Sequence, residues 1–251
     1  MTSAMTTAIT IQARMGSSRL PGKVLKDAVG KPMLELMIER LKRVPGADKI
    51  IVATTVKPAD DPIVELAQRV GVNFYRGSED DVLSRVLEAA QTHNVDVIVE
   101  TTGDCPLIDP GVIQKIIDTY NATGADYVSN VIERSYPIGM DTQVFATDIL
   151  ADVAERTNDP QDHEHVSLFI YHHPEIYRLK NVTAPKNLTA PDWRLTLDTP
   201  EDYEMIRKVF EALYPDNPAF TLADMFKLFK KRPELLEINS HVQHNWIRKD
   251  S

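Results

Sequence analysis

Between Ala13 and Lys23 the chain reads Ala-Arg-Met-Gly-Ser-Ser-Arg-Leu-Pro-Gly-Lys, and no acidic side chain occurs before Asp27. Arg14, Arg19, Lys23 and Lys26 supply the charge of this stretch, while Gly16, Ser17, Ser18 and Gly22 let backbone amides approach an anion closely. Arginine grips phosphate oxygens in pairs, and lysine adds a compact charge. The loop is therefore read as an anion site, with a solvated surface loop as the plainer alternative. It is neither a Walker motif nor a G-x-G-x-x-G dinucleotide fingerprint. Two acids stand apart from it. Asp104 and Asp198 each follow a strand-like run, at 96–101 and 194–197. If those runs share one parallel sheet with the strand before the basic loop, both carboxylates emerge at its edge. Two carboxylates facing a polyphosphate are the usual protein share of a Mg2+ shell. Capping of the next helix is the rival role for Asp198, but Thr199 already fits the N-cap.

The elements that must carry these residues alternate. Residues 9–13 form a short strand. Pro32 opens an amphipathic helix with Leu34, Met37, Ile38 and Leu41 on one face, and 49–55 is a buried-type strand. Asp61-Pro62 reads as a helix start, 72–75 as a strand, and Val82, Leu83, Val86, Leu87 and Ala90 as a helical face. A strand at 96–101 and a helix from Asp109-Pro110 follow. This alternation predicts right-handed crossovers and a mainly parallel sheet. After Tyr127 the rhythm changes. A strand at 142–145, helices from about Asp148 and over 163–171, and a strand at 176–182 on a smaller flap are expected. A buried strand at 194–197 precedes a helix opened by Thr199-Pro200-Glu201-Asp202, and 222–238 reads as helical with Pro233 interrupting it. The chain is read as one domain over 1–251, with an inserted acceptor-side and dimerisation segment at about 132–185. The tail beyond Asn239 is polar and expected at the surface.

A net charge of −9 excludes nonspecific nucleic-acid binding and docking on anionic membranes, both of which need a positive surface. The single cysteine, Cys105, excludes an internal disulfide and a cysteine zinc cluster. The opening residues 1–7 carry no basic region, and no run approaches the ~20 apolar residues of a membrane span. The expected location is the cytoplasm.

The motifs then resemble a known family. Ala-Arg-Met-Gly-Ser-Ser-Arg-Leu-Pro-Gly-Lys-Val-Leu at 13–25 is similar to the opening motif of cytidylyltransferases that activate acidic sugars. These are the acylneuraminate and 3-deoxy-manno-octulosonate enzymes, and above all the spore-coat polysaccharide branch. The likeness continues in Val-Ala-Thr-Thr (52–55), Arg-Gly-Ser-Glu-Asp-Asp-Val-Leu (76–83) and Thr-Gly-Asp-Cys-Pro-Leu-Ile-Asp (102–109). It extends through Tyr-Val-Ser-Asn (127–130), Gly-Met-Asp (139–141), Glu-His-Val (164–166), Leu-Asp-Thr-Pro-Glu-Asp (197–202) and Leu-Leu-Glu-Ile-Asn-Ser-His (235–241).

The resemblance implies a three-layer α/β, Rossmann-like nucleotide-diphospho-sugar transferase fold. It implies transfer of CMP from CTP to a nonulosonate- or octulosonate-type sugar for surface polysaccharide synthesis. Arg14, Lys23 and Asp104 would be catalytic, and Asp104 and Asp198 would hold Mg2+. Nucleotide contacts are implied for Ala13, Arg14, Ser18, Arg19, Lys23, Arg76, Asp80, Thr102 and Gly103; for the 76–81 stretch, capping of the next helix by Ser78 or Asp80 is an equal alternative. Asp141, Glu164 and His165 match positions near the acceptor, although an inward polar residue or a cap explains each as well. His163, His172 and His173 are read as surface residues, Cys105 as a buried thiol, and Trp193 and Trp246 as showing no stacking pattern. No general base is evident. A homodimer is expected. Two rivals remain at this point. A metal-dependent glycosyltransferase would need an Asp-x-Asp that 103–106 does not supply, and a non-catalytic nucleotide binder would have no need for the full charge set.

Overall fold

In the computed structural model, which describes residues 5–243, the central sheet is built outward from its first strand. β1 (Thr7–Gln12) pairs in parallel with β4 (Lys49–Thr55), and β4 with β5 (Asn73–Gly77). The chain then returns to the other side of β1, where β6 (Val97–Thr102) pairs in parallel with it. Beyond β6 lie β8 (Gln143–Ala146), β7 (Tyr127–Ser129) and β9 (Leu179–Asn181), giving the order β5-β4-β1-β6-β8-β7-β9. Only the β6–β8 and β8–β7 pairings are antiparallel. A separate two-stranded ribbon, β2 (Asp27–Ala28) and β3 (Lys31–Pro32), follows the basic loop.

Helices cover both faces, because strands such as β1 and β4 are apolar on each side and must be buried twice. One layer holds α1 (Met33–Leu41), α2 (Asp61–Arg69), α4 (Pro110–Thr123), α8 (Pro200–Leu213) and α9 (Leu222–Lys231), whose Leu34, Ile63, Ile113, Met205 and Met225 join Ile9, Ile11 and Val52 of the sheet. A short α10 (Glu234–Glu237) follows α9. The other layer holds α3 (Val82–Thr92), α5 (Thr147–Arg156), α6 (Pro160–Glu164) and α7 (Leu168–His172); Leu83, Val86, Leu150, Val153 and Ile170 pack there on Ala8, Ile51, Ala53 and Ile98. The result is the expected three-layer, mainly parallel α/β fold. Among the described residues no helix is long and apolar enough to cross a membrane.

Four local expectations are corrected. Residues 194–197 are buried but do not form a sheet strand. β6 pairs with β8 only over Val97–Glu100, and the extended segment docks beyond that pairing. Its contacts are Leu197 N to Asp104 O (2.7 Å) and Leu195 N to Ile138 O (2.8 Å). Gly139 permits this crossing: it sits at φ 99, and a Cβ there would come within 2.5 Å of the Leu195 carbonyl oxygen. The helix expected at 163–171 is two, α6 and α7, broken where Val166 takes φ 50. The strand at 176–182 shortens to β9 and extends the central sheet rather than a separate flap. Asp61 is the first residue of α2, not its cap; Asp60 precedes it.

Candidate functional site

The strand order reverses at β1, since the chain runs out to β5 and comes back to β6 on the opposite side. Ligands of open α/β sheets bind at the carboxyl ends of strands flanking such a reversal. The basic loop leaves β1 at that point. It is fastened from behind by Met15 N to Asp60 Oδ1 (2.7 Å), with Asp60 itself held by the Thr55 hydroxyl. Gly22, at φ 65, turns the chain back so that its amide meets Met15 O at 3.1 Å, and a single 3-10 turn, Lys23–Leu25, buries Val24. With the backbone tied down, the charged ends project from a fixed base.

The two distant acids meet this loop. Lys23 Nζ lies 3.1 Å from Asp104 Oδ2 and 2.8 Å from Asp198 Oδ1. Arg19 reaches Asp198 Oδ2 at 3.2 Å. Asp104 is also held by Thr102 Oγ1, which donates to Oδ1 at 2.5 Å. Asp198 arrives because the 194–197 segment hydrogen-bonds to the backbone of Asp104 itself. It is steadied by Arg194 Nη2 at 3.0 Å, and Arg194 in turn grips the fully buried Asp202 through Nε (2.8 Å) and Nη2 (2.9 Å). Thr199 caps α8 in a reciprocal capping box with Asp202, so Asp198 is spared that duty. Burial opposes the charge of both Lys23 and Asp198. Even so, the two acids hold the Lys23 ammonium above its usual range, and Lys23, Arg19 and Arg194 hold the Asp198 carboxyl below its own.

These residues wall a cavity of about 840 Å³. Of the residues predicted from sequence, Ala13, Arg14, Ser18, Arg19, Lys23, Thr102, Gly103, Asp104, Asp141, Glu164, His165 and Asp198 all line it. Arg76 and Asp80 are not among its lining residues. The Arg76 guanidinium is committed to the carbonyls of Thr55 and Lys57, both at 2.8 Å, and to Asp61 at 2.7 Å, so it braces the β4–α2 junction rather than facing the cleft. The cap of α3 is Asp81, which accepts from Ser84 N at 2.9 Å, rather than Ser78 or Asp80. His163 is half-buried, not a surface residue: its ring bridges Asp81 Oδ1 (2.9 Å) and Thr157 O (3.0 Å). His172 is exposed at the cavity wall, and His173 bonds Glu175. Burial pushes the Cys105 thiol well up, which disqualifies it as a nucleophile. Trp193, partly buried, packs on the core with a tilted contact to Phe226 and an edge contact to Phe229, and Trp246 lies outside the described residues.

Sequence reasoning missed several lining side chains, including Gln12, Arg85, Glu100, Arg134, Gln143 and Tyr171. Arg134 forms a two-bond pair with Asp141 at 2.6 and 2.9 Å. Glu100 had one available signal, a carboxylate in the middle of a buried strand run, Val-Ile-Val-Glu-Thr-Thr at 97–102. The α6–α7 break carries His165 and Ser167 on either side of Val166, so the unusual backbone sits at the cavity wall.

A basic loop and paired acids at the reversal point of a parallel sheet define a nucleotide-using α/β transferase. The chain belongs to the cytidylyltransferase family, whose model matches residues 8–229, and is thus a CTP-dependent nucleotidyltransferase. It is 32% identical over 229 residues to the spore coat polysaccharide biosynthesis protein SpsF of Bacillus subtilis, covering 89% of this chain and 94% of that one. It is 38% identical over 128 residues, 49% of each chain, to 3-deoxy-manno-octulosonate cytidylyltransferase 2 of Hydrogenovibrio crunogenus. A solved cytidylyltransferase from Leptospira borgpetersenii superposes with a TM-score of 0.88 at 32% identity, covering 97% of this chain and all of the other.

Proposed function

We propose that the protein transfers CMP from CTP to a hydroxyl of an acidic sugar, of the nonulosonate or octulosonate type, for surface polysaccharide synthesis. The single observation that carries this reading is the meeting of Lys23, Arg19, Asp104 and Asp198 at one point, from three distant parts of the chain. In the reaction the acceptor hydroxyl gives up its proton to water as its oxygen attacks the α-phosphorus in line, the bond from that phosphorus to the bridging oxygen breaks, and pyrophosphate leaves with that oxygen. Arg14, Arg19 and Lys23 hold the phosphates and offset the charge gathering on the leaving group. Arg134, on the acceptor side and already bonded to Asp141 through Nη1 and Nη2, adds a positive charge that suits the sugar's carboxylate.

Asp104 and Asp198 fit a divalent cation, with Mg2+ proposed. Both present carboxylate oxygens to one ammonium within 3.1 Å, and hard oxygen donors are what such ions take. Among the described residues no group of three or more His, Cys, Asp or Glu is arranged for a metal, so the remaining ligands would come from phosphate and water. Bound there, the ion would supply charge neutralisation and lower the pKa of an oxygen it touches. The reading also places the enzyme in the cytoplasm as a homodimer, with 132–185 as the acceptor-side segment and contact surface; Ile132 and Ile176 are its exposed large apolar residues.

The test is pyrophosphate release from each of four nucleoside triphosphates against a panel of sugar acids. CTP with one sugar acid should dominate, and Asp104→Asn should lower turnover by about 100-fold or more. Intact turnover in that variant, or equal use of all four nucleotides, would overturn the assignment.

A further inference from the structure

The cavity has two ends of different chemistry. The loop after β1 lines one end with cations, whereas the wall shared by β6, β8 and α7 carries Glu100. This residue is 5% exposed, faces Gln143 across the β6–β8 pairing, and lines the cavity beside Ser167 and Tyr171. Its Oε1 accepts from Gln12 Nε2 at 2.9 Å and the Ser167 hydroxyl lies close enough to favour its charged form, but its Oε2 is buried and makes no well-formed hydrogen bond among the described residues. Among the described residues no lysine or arginine pairs with it. A buried carboxylate left in this state is costly, and such groups are normally neutralised or matched by a cation. The neighbouring acids do not help. Asp141 is matched by Arg134, while Glu164 adds a further negative charge at the rim.

We infer that Glu100 is a specificity residue for the acceptor, and that the acceptor is an amino sugar acid whose free ammonium pairs with Glu100 inside the cavity. This deepens the transferase reading and rests on it. Gln12 and Gln143 flank the position with amide groups able to accept or donate, so an ammonium there finds one charge partner and neutral hydrogen-bond partners besides. An N-acetylated nitrogen carries no charge and adds bulk against a wall already closed by β6 and β8. A hydroxyl in the same place would leave the carboxylate without a counter-charge.

The experiment uses the full-length protein with octulosonic and nonulosonic acids bearing one free amine at C4, C5, C7 or C8 in turn, each beside its N-acetyl and hydroxyl counterparts. Turnover is read as pyrophosphate released from CTP. Binding is read separately by calorimetry in the presence of a non-hydrolysable CTP analogue. One amine-bearing acid should be preferred about 10-fold or more over both counterparts. Glu100→Gln should raise its KM about 10- to 100-fold, the range for a hydrogen bond to a charged group, while the KM for CTP changes less than about two-fold. The same variant should erase the preference among the three forms. Two results would overturn the inference: N-acetyl or hydroxyl acids used as well as amines by the unaltered enzyme, or Glu100→Gln changing the choice of nucleotide and leaving the acceptor unaffected. Tight, Glu100-dependent binding of an amine without pyrophosphate release would sustain the inference and sink the transferase reading. Absence of both binding and turnover for every amine would sink the inference, and turnover with non-amine acids alone would leave the transferase reading standing.

Discussion

The two ends of the cavity are made in opposite ways. The phosphate end is chiefly one contiguous loop, residues 13–23, which carries its cations Arg14, Arg19 and Lys23 in one short stretch and whose backbone is pinned by Asp60. The acceptor end is assembled from single residues on β6, β8, the 131–141 connection and the α6–α7 break. A contiguous loop fixes a charge pattern with little help from the rest of the chain. A wall of scattered side chains depends on every packing contact behind it, and is the part free to vary with the acceptor.

The largest effect that would break this contrast is expected at Lys23. Lys23→Met should lower kcat/KM by about 100- to 1,000-fold for every acceptor alike, because the phosphate end is common to all of them. Initial rates on two different sugar acids check this, and an acceptor-dependent loss would show that the ends are not separable. Glu100 gives the next effect, on stability. Burial pushes its carboxyl up to about 7, against the hydroxyl of Ser167 and the amide of Gln12, whereas its ordinary value is 4.5. Between those values the folded state binds more protons than the unfolded chain, so stability falls as pH rises through this window, by roughly 3 kcal/mol in all. Glu100→Gln should therefore melt at a higher temperature than the parent at pH 8 and at nearly the same temperature at pH 4. A flat difference across that range would contradict the buried acid.

Arg134→Met should come third. It should raise acceptor KM about 10- to 100-fold and leave the KM for CTP unchanged, sharpening the division between the two ends. The smallest effect is expected behind both. Asp81→Ala removes the α3 cap and the His163 contact, and should cost about 1 kcal/mol in chemical denaturation with acceptor choice preserved.

The same contrast explains what was legible in the sequence. Apolar periodicity and the Asp109-Pro110 and Thr199-Pro200 helix starts gave the layers, because local spacing reports burial directly. The loop and the acids at 104 and 198 were legible as chemistry, since each follows a strand-like run. Arg76 misled because a cation near a nucleotide motif looks the same whether it faces ligand or braces carbonyls. Beyond its place in a buried strand, the meaning of Glu100 arises when β8 is set beside β6, and that of Arg134, on the connection before β8, when it meets Asp141; local patterns report neither contact. The composition of the 194–197 run predicts a strand, but the sheet position next to β6 is occupied by β8.

Asn239, close to the end of the described chain, donates one amide to both Arg194 O and Asp202 Oδ1, each at 2.9 Å. Through Asp202 and Arg194 that contact reaches Asp198, so the segment around Asn239 acts as a latch on one of the two acids. A cut or fusion just ahead of Asn239 would thus be felt as weakened grip on the cation at the opposite end of the chain's numbering, even where the sheet itself stayed folded.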